Sequence, residues 1–227
     1  MSLVVAVKDK NRIVLGADKQ TSAAGNKEHN ATKIWEVEEL PGALMGSIGS
    51  VRASQIIQFA NIIDKNAIGE ELDTSFIICS LVPVISAGLK ANGISVKAPV
   101  EDASCDMMSN AFIFAYKDKA WMIWHDFSVS EIEDYLVVGS GSDVARGALF
   151  ATKENQNPFD RIVTAIDAAA ETTLYVDNGI DLLATKYYEE DKQAIADALG
   201  LKLAKPKPKK STKKSATKSK KVVKEQK

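Results

Sequence analysis

Short apolar runs separated by turn-forming residues follow most of the chain and predict its secondary structure. Near the amino terminus, LVVAV and RIVLGAD flank the polar turn Asp9–Arg12, a pattern that predicts two paired strands. A second strand pair is predicted at Lys33–Val37 and Ala43–Ile48, on either side of a Leu-Pro-Gly turn. NAFIFAY and AWMIWHD predict a further hairpin, whereas the polar stretch TSAAGNKEHNAT is expected to be a loop.

Two segments have the spacing of amphipathic helices. The first begins after Ser50, a favourable N-cap residue, and has its apolar residues at Ile56, Ile57, Ala60 and Ile63. The second is more apolar and is expected to run from Asp73 or Thr74 to Asn92-Gly93. Because a proline lacks the amide hydrogen and collides with the preceding turn, Pro83 predicts a kink or an irregular turn in this helix.

The last third of the chain contains further strands and helices. YLVVGSGSDVARGALF predicts a strand that turns into a helix at Gly139 and Gly141. FDRIVTAIDAAAETTLYV then predicts a helix, IDLLATKYY a strand and EEDKQAIADALGLKL a short terminal helix. The resulting order of strands, two helices, strands, two helices and strand predicts an α+β protein in which stacked sheets have helices outside.

Composition narrows the class of protein further. The 227 residues are 45% hydrophobic and 26% charged, which is typical of a globular protein and fits one large domain. No run approaches the roughly 18 uninterrupted apolar residues of a membrane helix, and the start lacks a signal-peptide layout. We therefore expect no membrane association.

Nothing in the sequence indicates a metal or a cofactor. Cys79 and Cys105 lack the spacing of metal ligands, and His29 and His125 have no partner pattern. GSGSD lacks the lysine of a phosphate-binding loop and the full glycine set of a dinucleotide site. The two cysteines are expected to be free thiols in a reducing cytoplasm.

Charge is divided unevenly along the chain. Residues 205–227 hold 11 Lys and one Glu, so this segment carries +10 and the remaining residues carry −11. The tail has almost nothing to bury and is expected to be disordered, which sets a domain at 1–204 and a Lys-rich tail at 205–227. Such a tail would suit a polyanion, an acidic partner or the acidic body of the chain itself.

The first residues suggest a reaction. The apolar strand begins directly after Met1-Ser2, and removal of Met1 would place a hydroxyl and a free α-amine on one residue. The unperturbed pKa of an α-amine is about 7.7–8.0, so part of it is neutral at cellular pH and can act as a base. Ser2 would then be nucleophile and base together.

Such a nucleophile needs a cation beside the amine, a carboxylate that holds the cation, and backbone N–H groups that face the oxyanion. The sequence contains each type. Asp18 ends the second predicted strand, Lys33 begins the third, and Gly49 lies where the fourth strand turns into a helix. The spacing permits these residues to converge but does not require it.

These motifs together resemble a family. LVVAVKDKNRIVLGAD, KIWEV, ALMGSIGSVRAS and YLVVGSGSDVARGAL are similar, in order and spacing, to proteasome β-type subunits and the bacterial HslV peptidase. The resemblance covers most of residues 2–186. It implies the four-layer αββα sandwich of N-terminal nucleophile hydrolases.

The resemblance also implies roles for single residues. Ser2 stands where the family has its catalytic threonine, Asp18 matches the aspartate of the Gly-Ala-Asp turn, and Lys33 matches the catalytic lysine. Gly49 matches the glycine whose N–H forms the oxyanion hole. Ser140, in GSGSD, matches the serine near the terminal amine.

Asp177, in LYVDNG, falls at the position of a second family aspartate. The chain departs from the family at three positions: Ser2 replaces threonine, Leu3 follows where small or hydroxyl residues are usual, and Ile180 replaces a second serine.

The implied function is an endopeptidase that degrades unfolded polypeptides inside stacked rings, with an ATP-dependent unfoldase as the usual partner. Two other functions stay open. The chain could be a ring-forming scaffold without catalysis, or an N-terminal serine amidase that acts on small amides. A purely nucleic-acid-binding role would fit the tail and leave the acidic body unexplained.

Overall fold

The computed structural model describes residues 2–23, 26–28, 30–60, 62–63, 72–94, 96, 105–154 and 157–201. The strands within these residues are β1 (Leu3–Asp9), β2 (Arg12–Asp18), β3 (Thr21–Ala23), β4 (Asn26–Glu28), β5 (Ile34–Glu36), β6 (Ala43–Ile48), β7 (Ala111–Tyr116), β8 (Lys119–Ile123), β9 (Val129–Glu131), β10 (Tyr135–Gly139) and β11 (Ile180–Ala184). The helices are α1 (Val51–Phe59), α2 (Thr74–Ala91), α3 (Ser142–Ala151), α4 (Pro158–Thr172) and α5 (Asp191–Ala198).

Two antiparallel sheets form the centre of the molecule. The first has the strand order β10-β1-β2-β11 and the second β5-β6-β7-β8-β9. In the first sheet β1 is central, because it pairs with β10 on one side and β2 on the other. The amino terminus of the chain therefore enters the middle of a sheet.

Strand β1 is buried on both faces, which explains its continuous apolar sequence. Leu3, Val5 and Val7 pack against the layer formed by α3 and α4. Val4 and Ala6, which alternate with them, pack between the two sheets. Because successive side chains of a strand point to opposite faces, one run of five apolar residues contributes to two cores.

The outer face of the second sheet is covered by α1 and α2. Phe112, Phe114 and Trp121 of the sheet pack there with Ile57 of α1 and Ile85 of α2. The layers are thus helices, sheet, sheet and helices. The predicted αββα sandwich is confirmed, and it follows from the alternation of apolar residues in the central strands.

Helix α2 begins at the predicted cap, where the Asp73 carboxylate accepts a hydrogen bond from Phe76 N. It passes through a π-helical turn at Ile77–Leu81 just before Pro83, so the predicted irregularity is confirmed. A π-turn is one way for a helix to accommodate a proline that cannot donate a hydrogen bond.

By length and composition α2 is apolar enough to cross a membrane, with a mean hydropathy of 1.6 over 18 residues, although the sequence pattern led us to expect no such segment. Its buried residues, Ile77, Leu81, Ile85 and Leu89, are spaced by four and pack into the core under the second sheet. Only 22% of the 18 residues are buried, so α2 packs one face into the core and leaves the rest of its surface outside it.

Two local predictions were wrong, and one short strand was missed. The stretch predicted as a loop contains the hairpin β3–β4, whose residues are polar and therefore carry no apolar period. Helix α1 ends at Phe59 because Ala60 takes an extended backbone, so Ile63 is buried beyond the helix and not on it. Strand β9 was not predicted, because it has only three residues at a sheet edge.

Several predictions fall outside the described residues. They include the continuation of the first helix over residues 64–67 and the disorder of the Lys-rich tail at 205–227. The domain boundary at residue 204 accordingly stays a prediction. His29 also lies outside the described residues.

Candidate active site

The residue next to the initiator methionine is held on both sides. The Ser2 carbonyl accepts a hydrogen bond from Ser140 N at 2.9 Å, and Leu3 N donates to Asp18 Oδ1 at 2.7 Å. Only 9% of Ser2 is exposed. The backbone around Ser2 is thus fixed by two hydrogen bonds, one to the residue that follows β10 and one to the last residue of β2.

Gly139 permits this close approach. Its φ is +108°, and a Cβ built on it would lie 1.9 Å from the Ser2 carbonyl oxygen. Both facts require glycine, since an L residue disfavours this backbone and any side chain would collide with residue 2. The first glycine of GSGSD therefore leaves the space that the Ser2 carbonyl occupies.

A buried ion pair lies beside Ser2. Lys33 Nζ is 2.6 Å from Asp18 Oδ1 and donates a second hydrogen bond, also 2.6 Å, to the Gln20 carbonyl. Asp18 Oδ1 is the same oxygen that accepts from Leu3 N. The lysine ammonium and the amide that follows Ser2 therefore share one acceptor, which places the positive charge next to residue 2.

Burial changes how readily Lys33 gives up its proton. Withdrawal from water lowers the pKa of Lys33, and the attraction of Asp18 only partly opposes this, with smaller contributions from Asp177 and Asp181. The ion pair is held by its mutual attraction and by the Gln20 carbonyl rather than by solvent. The pKa of Lys33 therefore lies below that of an exposed lysine.

The turn between β6 and α1 forms the other wall. Gly49 has a φ of +107°, and a Cβ there would lie 2.3 Å from the Ser109 carbonyl oxygen. Ser50 is the N-cap of α1, as predicted, and its hydroxyl accepts from Ala53 N at 3.4 Å. Gly49 N–H donates no hydrogen bond within the described part of the chain. It is available to a bound group at a helix N-terminus.

An open cleft of about 960 Å³ joins these parts, and Ser2, Lys33 and Gly49 all line it. Hydroxyl and amide side chains form much of the rest, among them Thr21, Thr32, Ser47, Ser54 and Gln55. The mouth of the cleft is apolar at Val51 and Phe59, which are 48% and 81% exposed. Its volume is at the upper end of the roughly 300–1,000 Å³ that is typical of ligand-binding clefts.

The other two predicted residues lie near this cleft without being among its described lining residues. Ser140 touches the site through its amide, which binds Ser2. Asp177 holds the turn before β11, because its Oδ1 accepts from Lys19 N at 3.3 Å and from Gly179 N at 3.1 Å. Its charge also contributes to the electrostatic field at Lys33. The catalytic roles of all six residues stay predictions.

Sequence reasoning missed a neutral polar cluster behind the cleft. Asn110 is completely buried, and it bonds to Ser50 and to the hydroxyls of Ser47 and Ser54. No motif marks it, since it is a lone asparagine before a strand. Gln20 was also missed, although its carbonyl is a partner of Lys33.

Within the described residues, no group of three or more His, Cys, Asp or Glu side chains is placed to hold a metal ion. The groups at the site are the Ser2 hydroxyl, the Lys33 ammonium, the Asp18 carboxylate and backbone amides. These groups are suited to acyl transfer.

Comparison with solved structures gives the class of fold. BPH from Thiobacillus denitrificans in complex with epoxomicin has 20% identity and a TM-score of 0.63, over 80% of this chain and 97% of that one. HslV from Trypanosoma brucei has 16% identity and a TM-score of 0.55, over 80% and 98%. The ancestral β-subunit Anbu from Yersinia bercovieri has 11% identity and a TM-score of 0.59, over 80% of each chain.

By sequence, no protein-family model matches the chain and no curated protein matches it significantly. The structural similarities show that the chain has the fold of the proteasome- and HslV-type N-terminal nucleophile hydrolases.

Proposed function

We propose that this chain is an endopeptidase that uses Ser2, exposed by removal of Met1, as an N-terminal nucleophile. The observation that carries the proposal is the shared oxygen of Asp18, which brings the Lys33 ammonium next to the amide that follows Ser2. The reaction would proceed in the cleft that Ser2 shares with Lys33 and Gly49.

In the first step the Ser2 α-amine takes the hydroxyl proton as Oγ bonds to the peptide carbonyl carbon. The oxygen of that carbonyl becomes an oxyanion, which Gly49 N–H binds. The amine then passes the proton to the leaving nitrogen, and the C–N bond breaks. An ester on Ser2 Oγ remains.

In the second step water attacks this ester. The Ser2 amine accepts a proton from the water and returns one to Oγ as the ester bond breaks, so a carboxylic acid leaves and the enzyme is restored. Lys33 keeps the amine largely neutral by repelling a second positive charge, and Asp18 orients Lys33.

Several features support a polypeptide substrate in an assembled particle. The cleft has a volume of about 960 Å³ and apolar residues at its mouth, Val51 and Phe59, which favours a peptide over a small amide. The resemblance to proteasome-type proteins implies a homo-oligomer of stacked rings, with an ATP-dependent unfoldase as partner. Cys79 and Cys105 are free thiols, which supports a reducing compartment such as the cytoplasm. The Lys-rich tail would contact a polyanion or an acidic partner.

Epoxomicin, the compound bound to one structural neighbour, provides the test. An epoxyketone can be attacked by a hydroxyl at its ketone and by an adjacent amine at its epoxide, so a double adduct requires both groups on one residue. We expect wild type to gain the mass of one epoxomicin on the peptide that begins with Ser2, and Ser2→Ala to gain none.

Ser75→Ala is the matched control, because Ser75 is exposed on α2 and does not line the cleft. It should be labelled like wild type. Absence of an adduct on assembled wild-type particles, or Met1 still attached in them, contradicts the proposal.

One observation favours a second candidate, a ring-forming scaffold without catalysis. Ile180 occupies the position of a family serine and pairs with Asp18 across β11 and β2, so no second hydroxyl lies on that strand position. Retention of Met1 in the intact mass of assembled particles would support this candidate, because it blocks the amine.

A further inference from the structure

Asn110 directly precedes β7 and holds the turn that contains Gly49. Its Oδ1 accepts a hydrogen bond from Ser50 N at 3.1 Å, and its Nδ2 donates to the Ser50 carbonyl at 3.0 Å. Both backbone groups of Ser50 are therefore bound by one side chain. An amide is suited to this, because it presents an acceptor and a donor side by side.

The same side chain connects the turn to the floor of the cleft. Asn110 Nδ2 also lies 3.1 Å from Ser47 Oγ and 3.2 Å from Ser54 Oγ, and these hydroxyls are 2.8 Å apart. Ser109 Oγ donates to Asn110 Oδ1 at 3.0 Å. One buried amide thus connects Ser47, near the end of β6, with Ser54 in the first turn of α1.

The backbone of the same segment supports Gly49 directly. The space that a Cβ of Gly49 would need is filled by the Ser109 carbonyl oxygen and by Asn110 Cα, at 2.3 Å and 3.0 Å. Two contacts therefore restrict the backbone at Gly49. Residues 109 and 110 pack against Gly49 itself, and the Asn110 side chain binds both backbone groups of the next residue, Ser50. A small displacement of Asn110 would turn the Gly49 N–H.

We propose that Asn110 is a positioning residue, which aims Gly49 N–H at the oxyanion that forms during peptide cleavage. This inference rests on the proposed function. Asn110 touches no substrate, because it is completely buried behind the residues that line the cleft. Its amide carries no charge and so provides orientation that does not change with pH.

The test compares Asn110→Ala with the matched variant Asn92→Ala. The Asn92 side chain donates to the Gly88 carbonyl at the end of α2, which lies outside the cleft lining. With a fluorogenic peptide selected on wild type, we expect Asn110→Ala to lower kcat by about 10²-fold with KM changed by less than about threefold. Asn92→Ala should match wild type.

A second readout separates positioning from a loss of folded protein. The aldehyde of the selected peptide forms a tetrahedral adduct that uses the oxyanion site, whereas the corresponding alcohol does not. We expect the inhibition constant of the aldehyde to rise with the fall in kcat, and that of the alcohol to stay at the wild-type value. Partial unfolding would lower the active fraction, which is counted by epoxomicin labelling carried to completion. It would not change the inhibition constant of the aldehyde or of the alcohol.

Asn110→Ser is the second variant and remains informative if the alanine variant does not fold, because a small polar side chain stays in the cluster. Its hydroxyl is too short to bind both backbone groups of Ser50, so kcat should fall and the aldehyde should weaken. The inference is overturned if the active fraction of either variant has wild-type kcat, or if both inhibitors weaken equally. Lack of labelling in wild type overturns the proposed function instead, and this inference with it.

Discussion

The two ends of the β1–β2 hairpin each have a buried ion pair, and the two pairs differ in kind. At the end beside the cleft, Lys33 binds Asp18 and the Gln20 carbonyl. At the opposite end, Arg12 binds Asp9 at 2.9 Å and also binds Asp191. Both cations are almost completely buried.

Their protonation differs because their surroundings differ. Burial lowers the pKa of Lys33 more than Asp18 restores it. Burial also lowers the pKa of Arg12, but hydrogen bonds and charges from Asp191 and Asp9 outweigh it and raise the pKa. A guanidinium keeps its proton in any case, whereas a buried ammonium can lose it.

Their packing differs as well. The Arg12 guanidinium lies over the rings of Tyr188 and Phe159, at 4.5 Å and 5.4 Å from their centroids, and its hydrogen bond to Asp191 fixes helix α5 to the sheet. Lys33 instead lines the open cleft. The comparison teaches that one end of the hairpin has a buried, titratable charge in the wall of a cleft, and the other has a permanent charge enclosed by aromatic rings and carboxylates.

The largest expected effect is on activity at the cleft end. Lys33→Ala removes the charge that keeps the Ser2 amine neutral, so kcat/KM per folded molecule should fall by about 10³-fold or more. The measurement is turnover of the fluorogenic peptide. Lys153→Ala, which removes an exposed lysine paired with Asp134 at 2.9 Å, should leave kcat/KM unchanged. Equal activity of Lys33→Ala and wild type would contradict the comparison.

At the Arg12 end of the hairpin, we expect a substitution to lower the free energy of unfolding and to leave kcat/KM of the folded protein unchanged. Arg12→Ala leaves Asp191 buried without its cation, so the free energy of unfolding should fall by about 3–5 kcal/mol. Urea denaturation measures this change. Lys90→Ala breaks an exposed pair with Asp106 and should cost less than about 1 kcal/mol. A fall in kcat/KM of folded Arg12→Ala would mean that the two ends are not separate.

The pH dependence of activity gives a smaller effect. The neutral amine of Ser2 is the active form, so kcat/KM should rise with pH through the pKa of that amine. The neighbouring Lys33 charge should place this pKa below the ordinary value of about 7.7–8.0. The value of kcat/KM measured between about pH 6 and about pH 9 gives the midpoint. Arg12→Ala, which leaves Lys33 in place, is the control and should have the same midpoint as wild type. A midpoint above the ordinary value would show that Lys33 does not act on the amine.

The smallest effect is on stability at high pH. Because the folded-state pKa of Lys33 lies below its unfolded value of 10.5, the unfolded chain binds more protons between the two values. The contribution of Lys33 therefore makes the protein more stable as pH rises through that window. Urea unfolding of wild type and Lys33→Met at pH values that rise to 10.5 should show a gain in wild type relative to the variant. A relative loss would mean that burial does not lower the pKa.

Apolar patterning predicted the elements that have a buried face. β1, β2, β6, β7 and β8 lie where alternation or continuous apolar runs placed them, and the caps Ser50 and Asp73 are confirmed. The hairpin β3–β4 and the strand β9 were missed because polar or very short strands have no such pattern. The needs of an N-terminal nucleophile pointed to Ser2, Asp18, Lys33 and Gly49 as candidates, whereas Ser140 and Asp177 were predicted only through the resemblance to a family.

By itself, the sequence determined the layered sandwich and the glycine turns, because burial of alternating apolar residues and positive φ angles are local requirements. Only the tertiary structure decided that Leu3 N and Lys33 Nζ share one Asp18 oxygen, and that Asn110 holds the turn at Gly49. These contacts join residues that are 15 to 60 positions apart. Hydrogen bonds over such separations depend on how strands pair and sheets stack, which no single segment of the chain encodes.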